Sequence, residues 1–387
     1  MNRSRPRYVL RVAQFVVAAL ITTASFTATS YTANAAPAEV AVPGPPSPSA
    51  AFAAENEIAA SQAERILAGQ ESFSLLLATL ETKVATFAGG AIDPAEDLDA
   101  VILFTEEPGA IVRKMIAEVP LRISVVTSAG VSASELRGVL ERSHVALEAS
   151  ASVVGATGYA DFATGSVHFD VWLEPGAELS EVQRSARSLA SGSVSIEIRQ
   201  ASGQMPVDEF NGGQHLSNAC TSAFTVRKSG QGGVLSAAHC TNSVSGYTFG
   251  GQVESGSTDA QWHKATGPSN RIRYTSGGAT QAITTYYAPA IGASACNYGA
   301  ATGYKCSTIW TNSACWPGLG CGFYAVSGGV TSGGDSGGPW FSGSAAFGVH
   351  KGSAPLGFAN RSVFTYVGNA LSSLGLTLCT TSTCNLA

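Results

Sequence analysis

Gly333-Gly334-Asp335-Ser336-Gly337-Gly338-Pro339-Trp340 is the stretch on which the reading of this chain turns. A serine on a tight turn of small residues presents its hydroxyl to a substrate carbonyl. The backbone N–H groups of Gly334 and Ser336 can point at the oxygen that becomes negative during attack. Upstream, Leu235-Ser236-Ala237-Ala238-His239-Cys240 supplies a histidine that can take the serine proton. Either run alone reads equally well as a glycine loop, or as a buried histidine beside a structural cysteine. Together, in this order and in a cysteine-bearing chain, they point to acyl transfer, most simply peptide hydrolysis.

A serine–histidine pair works better with a buried carboxylate that orients the imidazole. From residue 211 onward the chain holds three acidic residues: Glu254, Asp259 and Asp335. Asp335 adjoins the serine, so its side chain is expected to point away from it. That leaves Asp259, before Ala260 and Trp262, as the orienting acid, with Glu254 as the alternative. Of the remaining histidines in this half, His215 and His263 are expected at the surface, and His350 bears on specificity.

The chain is 387 residues long, enough for two ordinary domains. Its net charge of −5 hides an asymmetry. Residues 1–210 carry 14 Lys/Arg and 24 Asp/Glu, and residues 211–387 carry 8 and 3, so the halves stand at −10 and +5. All eight cysteines lie between Cys220 and Cys384. Arg3, Arg5, Arg7 and Arg11, the apolar run from Val12 to Ala28, and Ala33-Asn34-Ala35 form an export signal over 1–35. The run is short and interrupted by polar residues, so no membrane anchor is expected. Export and an even cysteine count favour disulfides. The sequential pairings are Cys220 with Cys240 and Cys296 with Cys306. Cys315 with Cys321 and Cys379 with Cys384 would close short loops, and crossed pairings among these four stay open. No CxxC spacing occurs, so no metal and no cofactor is expected. Basic residues of the downstream half are scattered, which argues against nucleic acid as a partner.

Residues 36–54 are rich in Ala and Pro and read as a linker. Residues 55–207 read as a small acidic α+β domain. Helices are expected over Glu55–Phe87, over Ser132–His144 with Ser134 as N-cap, and over Ser180–Leu189. Strands are expected at Leu121–Val126 and Val194–Ile198, with a hairpin over Tyr159–Leu173 that turns at Thr164-Gly165. From about 208 to 387, Gly, Ser and Thr dominate and short apolar runs alternate with turns. Candidate strands are Ala223–Val226, Gly233–Ser236, Ala282–Tyr287 and Ala346–His350. This is the texture of a β-barrel or sandwich, closed by a helix over Val363–Leu374.

These residues resemble the chymotrypsin-like serine proteases. LSAAHC plus GGDSGGPW, the spacing of the three candidate residues, and ATGYKC ending at Cys306 resemble the secreted bacterial branch that includes the α-lytic protease and streptogrisin types. The resemblance is specific over about 220–352. It implies two perpendicular six-stranded β-barrels with the active site between them. It also implies His239 as general base, Asp259 as its partner, Ser336 as nucleophile, and the Gly334 and Ser336 N–H groups as oxyanion hole. That branch is made with a large pro-region that assists folding and inhibits the protease, and residues 36 to about 210 match its layout. Cleavage is expected between about Gly203 and Asn211, giving a secreted monomer that acts on proteins or peptides. In some members an arginine after the third cysteine steadies the aspartate before the nucleophile. Here Asn297 follows Cys296, which leaves the partner of Asp335 open.

Val330, six residues before Ser336, stands where trypsin-like members carry an aspartate, so no preference for Lys or Arg is implied. Val349-His350-Lys351-Gly352 falls on the pocket wall along the substrate. Glutamate-specific members place a histidine in this wall, so His350, with Lys351 adding charge nearby, implies an acidic preference. An apolar or mixed pocket stays open, because Lys351 replaces a usual small serine and Gly333 stands where those members tend to place a serine. From other classes, a catalytically silent protease-fold binding protein remains a rival. An esterase would need an α/β pattern around Ser336 that this region lacks.

Overall fold

Hydrophobic periodicity accounts for most of the upstream elements in the computed structural model. It describes residues 47–95, 97–190, 192–201, 216, 220–244, 246–265, 269–274, 280–381 and 384. The export signal, most of the linker, the expected cleavage region and His215 lie outside the described residues.

Helix α1 (Pro48–Asn56) starts where the linker was expected to continue. Ser47 Oγ accepts the Ala50 N–H and Pro48 fills the first position, so a capped helix begins inside the Ala/Pro-rich run. Helix α2 (Ala60–Lys83) buries Ile66, Phe73, Leu76, Leu77 and Leu80 along one stripe. Strands β1 (Phe87–Ala95), β2 (Leu98–Phe104) and β3 (Ile123–Val126) form a three-stranded sheet, with α3 (Ala110–Ala117) between the last two. Helix α4 (Ala133–Glu148) is capped by Ser132, not Ser134. The Ser132 hydroxyl accepts the Glu135 N–H from an extended backbone, whereas Ser134 already lies in the first turn. Strands β4 (Val153–Asp161) and β5 (Ser166–Leu173) form the expected hairpin. Helix α5 (Leu179–Arg187) then crosses over to β6 (Ser195–Gln200), parallel to β5.

Downstream, β7 (Thr225–Lys228), β8 (Gln231–Ser236), β9 (Thr248–Ser255) and β10 (Thr258–Lys264) are followed by short pieces. These are β11 (Arg271–Arg273), β12 (Thr280–Ala282) and β13 (Thr285–Tyr286), so the run expected as one strand over 282–287 is split. Then come β14 (Ser294–Gly299), β15 (Gly303–Cys315), β16 (Cys321–Val326), β17 (Pro339–Ser342), β18 (Ala345–Leu356) and β19 (Ala359–Tyr366). Helix α6 (Val367–Leu374) and β20 (Thr377–Leu378) close the chain. The terminal helix is shorter than expected. Val363 and Phe364, β-formers by shape, pair with Gly352 and His350 in the sheet.

The first downstream lobe is a sheet of order β20-β7-β8-β10-β9, with β11–β12 as a separate ribbon. The second lobe runs β14-β17-β18-β19-β16-β15, and β15 pairs back onto β14, which closes a six-stranded barrel. This mostly-strand architecture follows a small α+β segment in the chain. That segment continues the barrel's sheet through β4, β5 and β6, with Gly158 opposite Cys315. Ala160 N–H donates to Ser313 Oγ at 3.0 Å, and Ile92 N–H to the Ile291 carbonyl at 2.8 Å. One hydrophobic core runs from Phe52, Phe73 and Leu80 into Trp340, Phe347 and Phe364.

Candidate active site

The loop after β8 carries His239, and three features fix it. Cys240 is bonded to Cys220. The buried Gln261 amide on β10 donates to the carbonyls of Ala237 and Cys240 at 2.7 and 3.0 Å. Asp259, on the neighbouring end of β10, accepts twice from His239: Nδ1 meets Oδ2 at 2.6 Å, and the backbone N–H meets Oδ1 at 3.1 Å. Asp259 is 0% exposed. Burial pushes its carboxyl up, but the hydrogen bond and charge of His239, with the Lys351 charge, outweigh that and hold it at about 2. Asp259 is therefore ionised at neutral pH. Glu254, the alternative acid, meets Lys351 instead.

Thr221 stitches the serine turn to this loop. Its N–H donates to the Ser336 carbonyl at 2.7 Å, and its hydroxyl to the Gly334 carbonyl at 2.8 Å. Its own carbonyl accepts Ser236 Oγ at 3.0 Å. The carbonyls of Gly334 and Ser336 are thus pinned, which sets the plane of the adjoining peptides. Gly337 has φ 82°, and a Cβ there would lie 2.3 Å from Ser236 Oγ, so the close approach needs glycine.

Asp335 points away from Ser336 into a cradle of donors. Oδ1 accepts the N–H groups of Ala301 and Thr302 at 2.9 and 3.1 Å. Oδ2 accepts Thr302 Oγ1 at 2.6 Å and the Ser332 N–H at 3.0 Å. A Cβ on Gly299 would sit 2.0 Å from Oδ1. Ala301 and Thr302 are thus among the partners of Asp335 that the sequence left open, in the place where some members use an arginine. Asn297 instead donates to the Pro339 carbonyl at 3.0 Å.

The expected pocket wall is β18. His350 exchanges backbone bonds with the serine turn: Gly337 N–H donates to its carbonyl, and its N–H donates to the Gly338 carbonyl, both at 2.9 Å. Burial drives the His350 imidazole down to about 4, with Asp335 opposing and His239 reinforcing the shift. Trp340 Nε1 donates to the His350 Nδ1 at 3.3 Å, so the neutral ring carries its proton on Nε2. Val330 is half-buried, and its N–H donates to Ser362 Oγ at 3.0 Å. Thr331 Oγ1 lies 2.6 Å from Ser362 Oγ and 3.4 Å from Ser353 Oγ, a hydroxyl cluster beside Gly352.

Two expectations need correction. Lys351, expected to add charge near the substrate, is buried with its ammonium 2.8 Å from Asp259 Oδ2. It sits where the register of β18 with β19 shifts between His350 and Gly352. His263, expected at the surface, is fully buried, with its ring centroid 6.0 Å from that of Phe249. Sequence reasoning missed Thr221, Thr302 and Thr365, whose Oγ1 accepts the Asp259 N–H at 3.0 Å. Threonines carry no motif signal of their own. The cysteines pair as Cys220–Cys240, Cys296–Cys306, Cys315–Cys321 and Cys379–Cys384. His144 lies beside Cys315 and Cys321, whose sulfurs are already bonded to each other.

The arrangement has the parts of a nucleophilic acyl-transfer site: an ionised carboxylate on an imidazole, and a serine turn with pinned peptide planes. No known protein-family model matches the sequence. Glutamyl endopeptidase 2 of Streptomyces griseus is 31% identical over 180 residues, covering 41% of this chain and 92% of its own length. Among solved structures, Thermobifida fusca protease A is 30% identical, covering 45% of this chain and 98% of its own, at TM-score 0.38. A glutamic acid-specific serine protease described as using a histidine triad in substrate binding is 27% identical. It covers 41% of this chain and 92% of its own, at TM-score 0.37. The Streptomyces griseus relative, 31% identical and matched along 92% of its length, agrees with the closed barrel and its serine turn, and the chain belongs to the bacterial chymotrypsin-like serine proteases.

Proposed function

We propose that this protein is a secreted endopeptidase made as a zymogen, which cuts peptide bonds through a Ser336–His239–Asp259 triad and prefers an acidic residue before the cut. The observation that carries the reading is the buried Asp259–His239 bond at 2.6 Å, in a loop stitched by Thr221 to the Ser336 turn. Asp259 holds the Nδ1 proton, so His239 Nε2 is the basic nitrogen. It takes the Ser336 proton as Oγ attacks the carbonyl, and the N–H groups of Gly334 and Ser336 receive the oxyanion. The same proton then passes to the leaving amine, and water repeats the sequence to release the acyl group.

His350, with Val330 and Gly352, supports the acidic preference. A neutral imidazole bearing its proton on Nε2 can donate to a substrate carboxylate without the cost of a buried cation. The Thr331, Ser353 and Ser362 hydroxyls offer further donors. The matched relatives include proteins named for glutamate specificity, which favours this pocket chemistry.

Residues 55–207 act as the pro-region in this reading, and 208–387 as the protease. The continuation of the barrel's sheet by β4 to β6, and the shared core, supply the contact by which the pro-region templates and inhibits. Without the signal arginines, residues 36–210 carry 10 basic and 24 acidic residues, net −14 against +5 downstream, so association is steered electrostatically. The test is Ser336→Ala, which abolishes proteolysis and leaves the full chain unprocessed if maturation is autocatalytic. Wild-type activity in that variant ends the reading. A peptide library scored at the residue before the cut tests the pocket, where absence of Glu enrichment removes the acidic preference.

A further inference from the structure

Lys351 has no step in the mechanism above, yet its side chain is 1% exposed and its charge lies against the triad. We infer that Lys351 is a positioning residue that shares the Asp259 carboxylate with His239 and lowers the proton affinity of the imidazole, with Glu254 as its counter-ion. The inference rests on the triad reading and adds a fourth charged member to it.

The geometry is specific. Lys351 Nζ lies 2.8 Å from Asp259 Oδ2, the same oxygen that meets His239 Nδ1 at 2.6 Å. Ammonium and imidazole are thus two hydrogen-bond lengths apart through one atom. A buried ammonium needs compensation. Here it has Asp259, Glu254 Oε1 at 3.5 Å, and the Trp316 ring with its centroid at 5.1 Å. The placement is local to β18: Lys351 sits where the register with β19 shifts between His350 and Gly352, and its ammonium meets Glu254 of β9 and Asp259 of β10.

The consequence is a charge balance. With His239 neutral, Asp259 and Lys351 cancel. When His239 takes a proton, a second cation forms beside the first, and both face the same Asp259 oxygen. Lys351 therefore opposes the imidazolium and keeps the base available at lower pH. Glu254, with its side chain 35% exposed, partly offsets Lys351 from the solvent side. Among the described residues, His350 on the same strand also lies near this cluster, and Asp335 from the serine turn acts on His350. Burial keeps His350 uncharged near neutrality, and Asp335 is occupied by its own donor cradle.

The test is the acid limb of kcat/KM against pH for the wild-type enzyme, Lys351→Met, Lys351→Arg and Glu254→Gln. Active sites are counted with a serine-directed acylating reagent. In Lys351→Met the limb moves up by about two pH units, the effect of removing a unit charge roughly 5 Å away at an effective dielectric of ~20. In Glu254→Gln it moves down, by less than about one unit, because that carboxylate is partly screened. Lys351→Arg keeps the wild-type limb. A purely structural role would lower kcat/KM at every pH and leave the limb in place. An unmoved limb in both charge-removing variants, or movement of both in one direction, overturns the proposal. Should Lys351→Met fail to fold, Glu254→Gln decides alone: a limb that stays or rises sinks the idea. Failure of the triad reading is distinguishable, because the reagent would then not label the wild-type enzyme at Ser336.

Discussion

Thr302→Val tests the donor cradle of Asp335, because it keeps the side-chain shape and removes one hydroxyl. The lost bond is the 2.6 Å contact from Thr302 Oγ1 to Oδ2 of a fully buried carboxylate. Hydrogen bonds to charged groups are worth about 1.5–3 kcal/mol, and Oδ2 keeps only the Ser332 N–H. The expected cost is therefore about 2 kcal/mol of stability. It is measured by urea denaturation of the full chain in a Ser336→Ala background, which prevents self-digestion. Because Asp335 sits between Gly334 and Ser336, a tilted carboxylate also tilts the peptides aimed at the oxyanion. In the active background kcat is expected to fall roughly tenfold, within the range seen for loss of an oxyanion donor. Thr302→Ser retains the hydroxyl and should restore most of both losses. A Thr302→Val protein within about 0.5 kcal/mol of wild type, with unchanged kcat, would refute the claim that Thr302 helps to hold Asp335.

Stability should fall on acidification in two steps. His350 is held at about 4 by burial, below its ordinary 6.5, so the unfolded chain takes up the proton first. Stability is lost as pH falls from about 6.5 to 4, and His350→Gln should flatten that part of a denaturation series. Asp259 is held at about 2 from an ordinary 3.8. Its contribution, of the order of 2 kcal/mol, is fully present above about pH 4 and disappears as pH falls through 2. Arg137 joins Glu81 at 2.5 Å to Asn312 Oδ1 at 2.9 Å, bridging the upstream helices to β15. Arg137→Ala should speed amide exchange roughly tenfold in β4 and the facing part of β15 of the full-length protein, and unchanged protection would show that the bridge holds nothing.

Much of the site was legible because its signals are local. The serine turn needs small residues within eight positions. His239 adjoins a disulfide cysteine, and Asp259 was reached by elimination among three acids. Those features are properties of sequence neighbours. The hairpin at Gly165 and the stripe of α2 were legible for the same reason, since period and turn chemistry act over a few residues. Strand β19 was misread in part because Val363 to Tyr366 suits a helix or a strand, and pairing with β18 decides.

What only the tertiary structure decided is who meets whom across the chain. Thr302 and Asp335 are 33 positions apart and share no motif, and the partner of Asp335 emerged only from the way β14 and β15 turn beneath the serine loop. Lys351 follows His350 directly, yet at the irregular register of β18 the His350 ring meets Trp340 while the Lys351 ammonium meets the Asp259 carboxylate. Sequence alone determined the chemistry available, since side-chain identity sets which protons and charges exist. The fold determined their use, because burial and distances of a few ångströms convert a lysine beside a pocket into a counter-charge behind it.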